Sequence, residues 1–371
     1  MGKYGKKNEV KLDPLAYNIA LIGESGIGKT TIIKEFCEKL AGKDGYMFLE
    51  TGKEDGADAI EGIVYEDCPD WETFDDVTDD IIENKSVDYP NLRVVVIDTY
   101  DELFRIAEPE VVRLHNNDNP DKPVKSIKGA FGGFQAGEDK CIEIVLDKLW
   151  DLKKVGVSFI IIGHTKTKNV DDPVTGESYM QLTTNMSQKY FNAIKTKVHF
   201  LGVAAIDREI VKEKTGKKDF VTKKDITKGV VKGESRKITF RDDNFVIDSK
   251  SRFADVIEDI PMDVDALIKA INDAILKEHS KGSKTLAETK VDQEKAEADK
   301  LKAIAVAEDK KRLDKELKKL IGEITEYIKE NKSDMSKIKP ILEKSKELGY
   351  ENPTKINNID DANTILSMIN A

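Results

Sequence analysis

Residues Gly23-Glu24-Ser25-Gly26-Ile27-Gly28-Lys29-Thr30 fit the pattern G-x-x-x-x-G-K-[ST] without a mismatch. Each residue type has a chemical task there. Glycines let backbone N–H groups curl around phosphate oxygens, Lys29 brings a cation to the β and γ oxygens, and Thr30 offers a hydroxyl to Mg²⁺. Thr31 completes the candidate cradle. A glycine-rich turn that binds nothing is the bland alternative. The flanks argue against it, because Tyr17 to Ile22 reads as a short buried strand and Thr30 to Leu40 as a helix, the setting such a loop requires. The expected ligand is a nucleoside triphosphate.

Three further positions could complete hydrolytic chemistry. Leu92-Arg93-Val94-Val95-Val96-Ile97 ends in Asp98, the form of a buried strand that delivers a carboxylate to Mg²⁺ and its waters. An apolar strand ending in Asp is common, so the signal rests on its place after the phosphate loop. Thr99 follows, not an acid, so the base that activates water must come from elsewhere. Glu50, at the end of Tyr46-Met47-Phe48-Leu49, is the first candidate, and Glu102 is the runner-up. The alternative for Glu50 is a solvated acid opening a loop with Glu54, Asp55, Asp58 and Glu61. Val157 to Ile162 ends in Gly163-His164-Thr165-Lys166, where His164 could sense the γ-phosphate; a lone His is more often surface or packing. His115, His199 and His279 are assigned no role.

Two stretches mix cations with aromatics. Residues 115–140 hold Lys122, Lys125 and Lys128 with Phe131-Gly132-Gly133-Phe134, and residues 165–189 hold Lys166, Lys168 and Tyr179. Both read as long polar loops on one sheet edge. Lys125, Lys128, Phe131, Lys166 and Lys168 could hold single-stranded DNA through phosphate pairing and base stacking, unless the loops are merely lysine-rich surface. Residues 207–252 carry an excess of Lys and Arg, and Lys250 and Arg252 could reach a neighbouring subunit's γ-phosphate in trans; a solvated hairpin is the simpler reading.

Strands positioning these residues are expected at Tyr17 to Ile22, Tyr46 to Thr51, Leu92 to Ile97, Val157 to Ile162 and Val198 to Ala205, alternating with helices as in a mostly parallel α/β sheet. Antiparallel strands at Lys237 to Phe240 and Phe245 to Ile247, turning at Asp242-Asp243-Asn244, would finish it. Asp263 can cap a helix with Val264, Leu267, Ile268, Ile271 and Ile275 on one face. Residues 1–280 are read as the ATPase domain and 281–311 as a charged helical linker. Residues 312–371 read as a small helical domain, with an apolar stripe from Leu313 to Ile328 and helices at Met335 to Leu348 and Asp360 to Ile369.

Lys and Arg total 60 against 70 Asp and Glu, a formal charge of -10, so nucleic-acid contact must be local. Cys37, Cys68 and Cys141 are scattered, which gives neither a disulfide framework nor a zinc site, and points to a reducing compartment. Residues 1–7 lack an apolar leader and no stretch is long enough to span a membrane, so a cytoplasmic location is expected.

The phosphate loop, Glu50, Val-Val-Val-Ile-Asp-Thr and Ile-Ile-Ile-Gly-His-Thr-Lys, in that order, resemble the RecA-like core ATPases of bacteriophages, in particular the Sak-type single-strand annealing group of phage nucleotide-binding proteins. The resemblance covers about Leu15 to Asp259. It implies a RecA-like fold, ATP hydrolysis with Mg²⁺, single-stranded DNA binding in recombination, and rings or filaments. In sheets so ordered the strand of Glu50 is expected beside the phosphate-loop strand. The acidic net charge departs from the pattern, as does the lack of a separate N-terminal polymerisation segment. A C-terminal domain could recruit a single-strand binding protein. The rival reading is a nucleotide-switched module whose partner is a protein; a small-molecule kinase ranks below both, because no acceptor lid is evident.

Overall fold

The computed structural model describes residues 8–53, 56–172, 175–218, 225–241 and 247–369. The chain forms two compact units, residues 1–297 and 298–371. In the first, a sheet is built from β1 (Ile19–Gly23), β2 (Tyr46–Thr51), β3 (Tyr65–Cys68), β4 (Val94–Asp98), β5 (Ser158–Asp171), β6 (Ser178–Thr184), β7 (Phe200–Lys218), β8 (Asp225–Thr239), β9 (Lys250–Ser251) and β10 (Asp259–Pro261). Its main order is β10-β8-β7-β1-β5-β4-β2-β3, with β6 on β5 and β9 on β7. The stretch from β7 to β3 is parallel and the added strands are antiparallel.

β1 and β4 are buried at every position, which is why they read as unbroken apolar runs: helices cover both faces. Alternate residues feed two cores. Ile19, Leu21, Val94, Val96 and Phe48 pack under α1 (Lys29–Ala41) and α6 (Val264–His279). Ala20, Ile22, Val95, Ile97 and Leu49 pack under α2 (Trp71–Glu83), α3 (Tyr100–Asp118), α4 (Ala136–Lys154) and α5 (Gln188–Lys195). Each fully buried Phe or Leu contributes about 2 to 3 kcal/mol. Asp263 caps α6, accepting from Ala266 N–H at 2.9 Å.

The expected strands are present. The ends of β1, β2 and β4 move by at most two residues, whereas β7 runs on to Lys218 and β8 begins as early as Asp225, well past the expected Val198 to Ala205 and Lys237 to Phe240. Three further expectations change. The stretch after Ile162 is not a loop: β5 runs on to Asp171 and pairs with β6, from Thr165 with Thr184 to Asp171 with Ser178. Thr165, Thr167 and Asn169 alternate with Lys166, Lys168 and Val170, the period-2 pattern of a ribbon. Second, the stretch 115–140 shrinks, because α3 continues to Asp118 and a short 3₁₀ segment, Ile127–Gly132, packs against α3 and α4. Third, β2 is not beside β1, since β5 and β4 lie between them. The turn at Asp242-Asp243-Asn244, with Phe245 and Val246, lies outside the described residues. Lys237 to Thr239 pair with β7 and β10 and Ile247 makes an isolated bridge to Leu182, so the expected closing hairpin is not what finishes the sheet.

α7 (Leu286–Glu330) is one 45-residue helix, and the division between the units falls inside it. Its first turns belong to the first unit: Gln293 Oε1 accepts from Leu12 N–H at 2.9 Å, and Gln293 Nε2 donates to the Val10 carbonyl at 2.8 Å. The first unit thus extends beyond residue 280, the expected boundary. In the second unit Ile324 of α7, Ile341 of α8 (Met335–Glu347), and Ala362, Ile365 and Leu366 of α9 (Ile359–Ile369) make a small core.

Candidate nucleotide site

The phosphate loop leaves β1 at its carboxyl end, where Gly23 stands level with His164 of β5 and Ala204 of β7. A Cβ on Gly23 would come within 2.9 Å of Ala204, so only glycine fits between those strands. Gly26 and Gly28 take φ of 73° and 104°, which other residues rarely adopt, and turn the chain so that α1 can start at Lys29. No side chain caps that helix, which leaves its first N–H groups for an anion. Glu24, Ser25, Gly26 and Thr31 are exposed, Ile27 packs inward, and Lys29 is buried with Nζ 3.1 Å from the Gly23 carbonyl and 3.0 Å from that of Glu24.

Thr30 and Asp98 come together, the Thr30 hydroxyl donating to Asp98 Oδ2 at 2.7 Å. Hydroxyl and carboxylate oxygens are hard donors that suit Mg²⁺. No cluster of three or more His, Cys, Asp or Glu side chains able to hold a metal occurs among the described residues, so an ion here would draw its remaining ligands from phosphate oxygens and water.

Glu50 stands directly across from Asp98 on the neighbouring strand, with Asp67 of β3 on its other side. It is therefore near the metal pair although its strand is remote from β1. It is 2% exposed; Oε1 accepts from Ala57 N–H at 2.6 Å, and Oε2 is buried without a hydrogen-bond partner. Burial pushes its carboxyl up to about 7, the charges of Asp98, Asp67 and Asp58 push the same way, and the Ala57 N–H opposes them. The solvated-acid alternative does not describe such a group. Glu102 instead packs against Gly52 and accepts from Arg105 at 2.8 Å.

His164 is held by an aspartate that sequence reading passed over. Asp101 Oδ2 accepts from the His164 backbone N–H at 2.7 Å and lies 2.9 Å from Nδ1, while Asp101 Oδ1 is buried without a hydrogen-bond partner. Asp101 lies in the first turn of α3, three residues after Asp98; that spacing carries no motif, and only the β4–β5 pairing brings it to His164. Arg236 of β8 was also missed. It donates to the Ile27 carbonyl at 3.0 Å, and Nη1 would lie 3.8 Å from a Cβ on Gly28. An isolated Arg in a basic ribbon gives no sequence signal.

The remaining candidates are dispersed. Lys166 and Lys168 are exposed on the β5–β6 ribbon, and Lys166 donates to the Asn185 carbonyl at 3.1 Å. Lys125 and Lys128 are exposed, but Phe131 is half-buried against His115, whose Nδ1 accepts from its N–H at 3.0 Å, so the Phe131 ring is not a free stacking platform. Lys250 and Arg252 lie at the other end of the sheet, beside Leu201 and His199 at the start of β7. They donate to the carbonyls of Lys195 and Thr196 and so finish α5. Within one chain they do not meet the phosphate loop.

A protein-family model described as AAA domain matches residues 15–253, more than half of the chain and all of the parallel sheet. The chain belongs to this AAA domain family. It is a P-loop NTPase by loop, by strand order and by family. No curated protein matches it. No helix among the described residues is long and apolar enough to cross a membrane.

Proposed function

We propose that this AAA-domain chain is a Mg²⁺-dependent ATPase of RecA-like type that acts on single-stranded DNA. The observation that carries hydrolysis is Glu50: a buried carboxyl with one unpartnered oxygen, level with the aspartate that pairs with Thr30. Lys29 and the loop amides offset the charge of the β and γ phosphates. Mg²⁺ held at Thr30 and Asp98 would supply further charge neutralisation. Ionised Glu50 accepts the proton of the attacking water as its oxygen bonds to the γ-phosphorus; the bond to the β–γ bridging oxygen breaks and its electrons leave with ADP. His164, braced by Asp101, stands beside the loop at the base of the β5–β6 ribbon and passes nucleotide state to it.

Support for DNA binding comes from the exposed Lys166 and Lys168 on that ribbon, with Lys125 and Lys128 as further contacts. Self-association into rings or filaments and recruitment of a single-strand binding protein by residues 298–371 belong to the same reading, and Lys250 and Arg252 act in it only through a neighbouring copy. The deciding experiment is the ATPase rate with and without single-stranded DNA at low salt. Stimulation that fades as salt rises is expected. Hydrolysis without any DNA affinity would leave a nucleotide-switched module for a protein partner, which the charge of -10 favours.

A further inference from the structure

The phosphate loop has two flanks. On one, Thr30 meets Asp98, and β5, β4 and β2 bring His164, Asp98 and Glu50 to the same sheet end. Metal and γ-phosphate chemistry belong there. On the other, β7 and β8 follow, and Arg236 stands two positions past the level of Gly23, paired with Ile206. Its side chain donates to the Ile27 carbonyl of the loop, and its backbone carbonyl accepts from Met262 N–H at 3.0 Å. No carboxylate among the described residues pairs with it, and it is exposed. Met262 lies on the same side, its Cε 3.7 Å from a Cβ placed on Gly28.

A triphosphate whose β and γ groups face Thr30 and Asp98 must lead its α-phosphate and nucleoside away from that flank. We propose that Arg236 binds the nucleotide at its α-phosphate end, exchanging the Ile27 carbonyl for a phosphate oxygen. A guanidinium with one neutral partner has donors in reserve, and a charge-assisted bond to phosphate exceeds its bond to a carbonyl. Because ATP and ADP share that end, Arg236 serves both alike. The β7–β8 ribbon is thereby anchored to the loop when the site is filled, independently of the γ-phosphate.

This inference rests on the nucleotide reading above, and Arg236→Gln separates the two. Glutamine can still donate to Ile27 but carries no charge. Titration calorimetry of Mg-ATP and Mg-ADP into the full chain is expected to show both affinities about tenfold weaker in Arg236→Gln and Arg236→Ala, and partly restored in Arg236→Lys. Unchanged thermal unfolding of Arg236→Gln would confirm an intact loop. Wild-type affinities in Arg236→Gln overturn the assignment, and so does a loss confined to ATP, which would place Arg236 at the γ-phosphate. Wild-type protein that binds neither nucleotide overturns the nucleotide reading itself.

Discussion

The two ends of the parallel sheet are built from the same strands yet treat polar groups differently. At the amino end Asn18, 2% exposed, is fully engaged: its N–H donates to His199 Nδ1 at 3.1 Å, its Nδ2 to the Lys197 carbonyl at 3.1 Å, and its Oδ1 accepts from Lys153. Lys250 and Arg252 are spent on helix carbonyls. Burial, followed by the charges of Arg252, Lys153 and Lys250, holds the His199 imidazole down at about 4, which keeps it neutral. At the carboxyl end Glu50 and Asp101 each keep a buried oxygen without a hydrogen-bond partner. Unmet demand of this kind costs stability, and it persists where a ligand meets it. That contrast separates a satisfied end from the end that carries the candidate site.

Breaking the site end should give the largest effects. Lys29→Ala should lower ATP affinity at least about 100-fold, read by titration calorimetry, because under the proposed function this buried cation is the one that offsets the β and γ phosphate charge.

Glu50→Gln should keep ATP affinity and reduce turnover about 100-fold or more, read by phosphate release. Its stability should move the other way. The folded carboxyl keeps its proton up to about pH 7, while an unfolded one releases it in the ordinary carboxylate range. Wild-type stability therefore falls as pH rises through that window. At pH 8 the Gln variant should be more stable by about 2 to 3 kcal/mol in urea melts, and near pH 4 the two should coincide. Wild-type turnover should rise with pH through about 7, as the base ionises.

At the amino end the signs reverse. Asn18→Ala removes the side-chain bonds to Lys153 and the Lys197 carbonyl while sparing the backbone N–H that His199 accepts, so it should cost about 1 to 3 kcal/mol of stability in the same melts and leave nucleotide affinity untouched. Arg252→Ala should be the mildest in stability, about 1 kcal/mol or less for an exposed contact to a helix carbonyl. Unchanged turnover would remove the trans role, and a fall in turnover at that small cost would support it. Mixing Arg252→Ala with Lys29→Ala chains would then recover activity beyond the weighted sum of the two.

Much of this contrast was legible in the sequence. The loop, Asp98 and Glu50 announce themselves because strand, turn and helix are local signals and a polar residue closing an apolar run marks a strand tip. What escaped reading is non-local. Asp101 and Arg236 matter only through strand order, which separates β2 from β1 and sets β8 two strands from it on the opposite side. The β5–β6 ribbon was hidden by exposure on both faces, since alternation without an apolar side looks like a loop. Phe131 looked like a stacking ring until the 3₁₀ segment turned it onto His115.

The unbroken run of β5 from Ser158 to Asp171 makes it a lever arm. Its fulcrum is His164, beside Gly23, and seven further residues carry it to Asp171 with β6 as a brace. At about 3.3 Å per residue the arm is roughly 23 Å long, so a tilt of about 5° at the fulcrum would sweep the far end through about 2 Å. With no intervening loop to absorb the motion, a small adjustment at the phosphates would grow along the arm, past Lys166 and Lys168, to its full extent at Asp171.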